Sequence, residues 1–147
     1  MSTGAAIYTG SVVDKRKDAQ IIALQPRHIT KEQSAELINL LKPVPKRGTI
    51  FFNPLMGSGE AVTFSDEIKA VLTAAGYKTE DVGFGEKVIG LGPLAGTFVW
   101  FKDSINQPQD AGYIYEAFKR VGITLLGVPQ PDFTDPDRVV IVVASHP

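Results

Sequence analysis

Hydrophobic and polar positions follow two rhythms along this chain, and the switch between them from Thr49 to Tyr77 organises the rest. Thr49-Ile50-Phe51-Phe52-Asn53 is a short aromatic and β-branched run that Pro54 ends, as expected of a strand. After Gly57-Ser58-Gly59 the period changes. Ala61, Phe64, Ile68, Val71, Leu72 and Ala75 recur at helical spacing, with Ser65, Asp66, Glu67 and Lys69 on the opposite side. Gly76 stands where a helix needs a residue in the left-handed conformation to stop. This is the strand, turn and helix of a βαβ unit.

Further elements follow from the same patterning. Thr30 and Gln33 form a capping box for a helix running to about Lys42, with Leu37, Ile38, Leu40 and Leu41 on its buried side. Pro43 and Pro45 end it, and Lys46-Arg47 before the first strand are expected to be solvated. Tyr77 to Val82 alternates and suits a sheet edge. From Gly83 to Gly96 the chain is a glycine-rich apolar stretch that is either a functional loop or hides a strand near Lys87 to Ile89. Gly96 to Lys102 reads as a central strand. Pro108 suits a first helical position, and Ala111, Ile114, Tyr115, Phe118 and Val121 form the stripe of a helix that Gly122 ends. Ile123 to Val128 closes a second βαβ unit. The link from Pro129 to Asp137 holds no helix, so it predicts a hairpin into a final strand, Arg138 to Ala144, antiparallel to its predecessor. The fold class expected is α/β, a mostly parallel sheet of about five strands with an antiparallel C-terminal strand, packed by about three helices in two or three layers.

Length and composition narrow this little. A chain of 147 residues suits one domain, assigned to residues 26–147, with residues 1–25 as an N-terminal tail or juxtamembrane-like helix that Pro26 sets apart. The net charge of −1 gives no basic footprint for nucleic acid, and the lack of cysteine excludes disulfides and thiolate chemistry. No apolar stretch has the length of a membrane span. Asp14-Lys15-Arg16-Lys17-Asp18 is a solvated face or the flank of a membrane helix. Self-association is expected through Val12 to Leu24 or through an edge strand.

The candidate site lies where Asn53, Gly57, Ser58, Gly59 and Glu60 leave the first strand and face Gly83, Gly85 and Gly92. Backbone N–H groups at a helix start favour a small anionic ligand, and the Glu60 carboxylate opposes it. No Lys-Ser/Thr pair follows the glycines, so this is not a Walker loop, and Met56 and Glu60 stand where a nucleophile elbow around Ser58 needs glycine. His28 and His146 share no ligand spacing, and Asp132, Asp135 and Asp137 lack the glycine and distal glutamate of a calcium loop. Phe98 and Trp100 are read as core residues. No catalytic residue, metal or cofactor is assigned.

Several short signatures resemble one known group. Arg27-His28-Ile29-Thr30-Lys31-Glu32-Gln33, Gly59-Glu60-Ala61 with Phe64 behind it, Ala75-Gly76-Tyr77, Val121-Gly122-Ile123 and the ending Val143-Ala144-Ser145-His146-Pro147 resemble the cytoplasmic α/β domain of small uncharacterised bacterial membrane proteins. In those, hydrophobic helices precede the domain; here they do not, which suggests an excised soluble portion or a soluble relative. The resemblance implies a cytoplasmic module at the inner face of a membrane and brings no catalytic residues. The function expected is a non-catalytic, sensory or regulatory module that binds a ligand or partner. Two alternatives stay open: an enzyme acting on a nucleotide or phosphorylated small molecule, and a structural interaction domain.

Overall fold

The computed structural model describes residues 26–83 and 95–146. Their elements are α1 (Lys31–Leu41), β1 (Thr49–Pro54), α2 (Gly59–Ala74), β2 (Lys78–Asp81), β3 (Thr97–Phe101), α3 (Gln109–Arg120), β4 (Leu126–Pro129) and β5 (Val139–Val143). The expectations for Val12 to Leu24 and for a strand near Lys87 to Ile89 fall outside the described residues.

The helix ends are set by the residues that the sequence singles out. Thr30 Oγ1 accepts from Gln33 N at 3.1 Å while Gln33 Oε1 accepts from Thr30 N at 2.9 Å, which closes the capping box of α1. Gly76, at φ +104°, ends α2 by letting Tyr77 N donate back to Leu72 O. Lys46 departs from expectation. Its side chain is half-buried and its Nζ donates to the carbonyls of Leu41, Lys42 and Val44, satisfying the open end of α1, and lies 4.9 Å from the Tyr77 ring centroid. Pro108 sits one position before the first helical residue, with no side-chain cap of its own.

The sheet order is β2-β1-β5-β3-β4. β1 pairs in parallel with β2 and β5, β3 pairs in parallel with β4, and β3 and β5 pair antiparallel. The last strand thus runs opposite to its predecessor, as expected, but the two form no hairpin, because β5 crosses β3 to lie at the centre of the sheet. All five β5 residues are buried, and such a strand needs neighbours along both edges and cover on both faces. β4 takes the edge instead. It also starts later than its apolar pattern suggests: Ile123 and Leu125 pack into the core as the chain leaves α3, and pairing begins at Leu126.

All three helices pack on one face. Leu37 and Leu41 of α1, Phe64, Ile68 and Leu72 of α2, and Ile114 and Phe118 of α3 meet Ile50, Phe52, Val99, Phe101 and alternate residues of β5. The other face carries Val82, Phe98, Val140, Val142 and Ala144, with Phe51, Trp100 and Phe133 packed on them. Arg138 lies over the Phe51 and Phe133 rings at 4.7 and 5.4 Å. Ser65, placed by its period on the wet side of α2, is buried. Asp110, in the first turn of α3, is buried as well and accepts from the backbone N–H groups of Arg47 and Gly48, which ties the start of α3 to the lead-in of β1.

Candidate functional site

Of the residues expected to form a ligand site, Asn53 to Glu60 lie at the carboxyl end of β1, where Ser58 and Glu60 are engaged by other residues of the protein. Asn53 is buried at the strand end beside Val142. Gly57 takes φ +85°, which only glycine adopts without cost, and so turns the chain toward α2. Ser58 is the N-cap of α2, its Oγ accepting from Ala61 N at 3.1 Å, and Gly59 opens the helix. Gly83 follows β2, exposed; Gly85 and Gly92 lie outside the described residues.

The residue that decides the character of this end is Arg27. Its Nε and Nη2 donate to the two carboxylate oxygens of Glu60 at 2.9 and 2.6 Å, and its backbone N donates to the same carboxylate at 2.9 Å. Nη2 also donates to Ala144 O, so the guanidinium joins α2 to the end of β5, with Phe64 beneath it at 5.1 Å. The Arg27 hydrogen bonds hold the Glu60 carboxyl below its usual range against the opposing effect of burial, and the charges of Arg27 and His146 add to them. Glu60 is therefore neutralised inside the protein. Sequence reasoning gave Arg27 no role at the site. The one available signal was the carboxylate itself, since a Glu in an otherwise apolar setting needs a cation nearby, but 15 lysines and arginines could have supplied it.

Beside this ion pair lies a cleft of about 330 Å³, lined by Arg27, His28, Phe64, Thr97 and Thr124 among others. A larger groove, about 730 Å³, lies on the helix side of the sheet between α3 and the β3–β4 edge. Its floor is Val99 and Phe101 of β3 with Gly127 and Pro129 of β4. Along its helix wall stand Tyr113, Tyr115 and Glu116, and Ser104, Gln107 and Gln109 close the end where β3 turns into α3. The volume lies in the range of sites for small molecules, and an apolar floor with a few polar groups above it is the usual composition of such sites. Glu116 is the one charged side chain among the described lining residues.

Glu60 is bound to Arg27, Ser58 is engaged as a cap, and His28, which lines the cleft with Arg27, is exposed. Among the described residues no group of three or more His, Asp or Glu side chains is placed to hold a metal. Asp135 accepts from Asp137 N, a local turn in an exposed loop. Among the described residues no helix is long and apolar enough to cross a membrane. Compared with known proteins, the chain matches no family model, no curated protein and no solved structure.

Proposed function

We propose that this chain is a non-catalytic binding module that takes a neutral or basic ligand in the groove between α3 and the β3–β4 edge. One observation carries the reading: at the glycine turn Arg27 and Glu60 are bound to each other, with Arg27 Nη1 the guanidinium nitrogen left without a partner among the described residues, whereas the larger groove offers tyrosine, glutamine and serine side chains over an apolar floor. A phosphorylated ligand would meet no cation among these lining residues and one carboxylate, Glu116. A sensory or regulatory role beside a membrane is the part of the proposal that rests on the sequence resemblance.

The test is a thermal-shift screen of neutral fragments, amines, nucleotides and sugar phosphates against the wild type and Gly112→Leu. Gly112 lines the groove, and a Cβ there would meet nothing within 4 Å, so the larger side chain occupies the groove without an internal clash at its first atom. Neutral or cationic hits lost in Gly112→Leu are expected. Hits confined to nucleotides and unaffected by the substitution would contradict the reading, and turnover of any of them would replace it with an enzyme.

A further inference from the structure

The outer wall of the groove is a strand edge. Among the described residues β4 pairs with β3 alone, so its other side leaves backbone donors and acceptors without a strand partner. The opposite edge of the sheet, β2, reads Lys78-Thr79-Glu80-Asp81, and Lys69 Nζ reaches Asp81 at 2.6 Å. Such charges discourage another strand from pairing. β4 reads Leu126-Gly127-Val128-Pro129, with no charge and with Leu126 46% exposed; Pro129 has no N–H, so the donors this edge can offer come from the residues before it.

The register places Gly127 opposite Val99 and Pro129 opposite Phe101, on the face that α3 covers. A Cβ at Gly127 would come within 3.1 Å of the Phe101 ring, which accounts for that glycine. Gly112 has no such internal reason. It lies inside α3, where glycine costs roughly 0.5–1 kcal/mol relative to alanine, and among the described residues no atom beyond its chain neighbours and its own helical backbone stands within 4 Å of where its Cβ would be. Room is left on the helix wall of the groove, at Gly112, while the Phe101 ring fills the space beside Gly127.

We propose that β4 accepts an extended peptide from a partner protein as a sixth strand, with alternate side chains of that peptide filling the groove against α3. The inference rests on the groove being the binding site. Main-chain pairing would give the affinity and the groove the selectivity, the mode by which a strand adds to a free sheet edge. The peptide is neutral or basic, because Glu116 is the charged lining residue, and it carries apolar residues at every second position to meet Val99, Phe101 and Pro129. A second copy of this chain fits less well. Antiparallel two-fold pairing of β4 with itself would bring another Gly127 and Pro129 to the same face and leave the groove unfilled, and a four-residue ladder alone buries far less than the roughly 800 Å² per partner of a stable interface.

The experiment is selection from a displayed library of random linear peptides on the full chain, with counter-selection on Gly112→Leu and Gly112→Ala as the check that the helix tolerates substitution. Expected are peptides with alternating apolar residues and Lys or Arg between them, binding Gly112→Leu about tenfold or more weakly, with N-methylation of the peptide backbone weakening binding at every second position. Binders with helical spacing, or indifferent to N-methylation, would overturn strand addition and leave the groove as the site. Failure to enrich any peptide while neutral fragments still bind in a Gly112-dependent way would overturn the peptide partner alone. If neither peptides nor fragments respond to Gly112→Leu, the reading of the groove itself fails and this inference with it. A concentration-dependent dimer abolished by Gly112→Leu would make the occupant a second copy and overturn the proposal.

Discussion

The glycine turn at Gly57-Ser58-Gly59 and the groove beside β4 are built from similar parts, a strand end, a helix start and a pair of glycines, yet they end in opposite states. At the turn, an arginine from before α1 closes over the helix start, and Glu60, Ser58 and the Ala144 carbonyl find their partners within the protein. At the groove, the first turn of α3 is fastened from behind by Asp110, and the side that faces the sheet edge stays open. A polar cluster that satisfies itself contributes to stability; one that lines open space is available to a ligand. The difference lies in whether a third segment covers the site.

Asp110 should give the largest stability effect, because the groove wall depends on it. Asp110→Ala removes the buried carboxylate that accepts from the N–H groups of the exposed residues Arg47 and Gly48 and should cost about 1.5–3 kcal/mol in urea unfolding. A cost below about 0.5 kcal/mol would mean that α3 is held by packing alone. At the turn, Glu60→Ala removes the partner of a half-buried guanidinium and should cost about 2 kcal/mol, less than a fully buried pair because the Glu60 side chain keeps some exposure to solvent.

The acid limb should report the same pair. The Glu60 carboxyl titrates lower in the folded chain than its ordinary value of 4.5, so its contribution is present above that pH and is lost as the pH falls toward the folded value. Glu60→Gln should flatten the loss of stability below pH 4.5, followed by circular dichroism in acid titration; an unchanged acid limb would mean that the pair contributes nothing. In the groove the sign reverses. Gly112→Ala should stabilise the fold by about 0.5–1 kcal/mol, as at a helix position with no internal neighbour to disturb.

The smallest effect concerns Tyr77, whose hydroxyl is buried with no hydrogen-bond partner among the described residues. Burial first, and then the charge of Asp110, push its ionisation above the ordinary value of 10.0, so its contribution is present below pH 10 and is lost as the pH rises further. Tyr77→Phe removes both the orphan hydroxyl and this alkaline sensitivity. It should leave neutral-pH stability unchanged or raise it by up to about 1 kcal/mol, checked by paired melts at pH 7 and above pH 10.

Much of the fold was legible in local rules. The Thr30–Gln33 box, Gly76 and Gly122 act over a few residues each, and the two βαβ units follow from strand and helix periods that those signals separate. The place of β5 was not legible from the length of its connection, because a nine-residue link such as Pro129 to Asp137 can serve a hairpin or a crossing of one strand equally well. What decides is the demand of an entirely apolar strand for the centre. The site was half legible for a related reason. Open α/β sheets bind ligands at the carboxyl ends of strands, but β3 and β4 run opposite to β1, β2 and β5, so this sheet has carboxyl ends on two sides. The glycine turn marked one of them, and nothing in the order of residues announced that Arg27 would fill it.

The account turns on which of these two ends receives a ligand, and amide chemical-shift mapping with the best neutral or peptide hit decides it. The account predicts shifts clustered at Ser104 to Glu116 and Leu126 to Pro129, absent in Gly112→Leu. Shifts centred on Arg27, Gly57 to Glu60 and Ala144, retained in that variant, would contradict it.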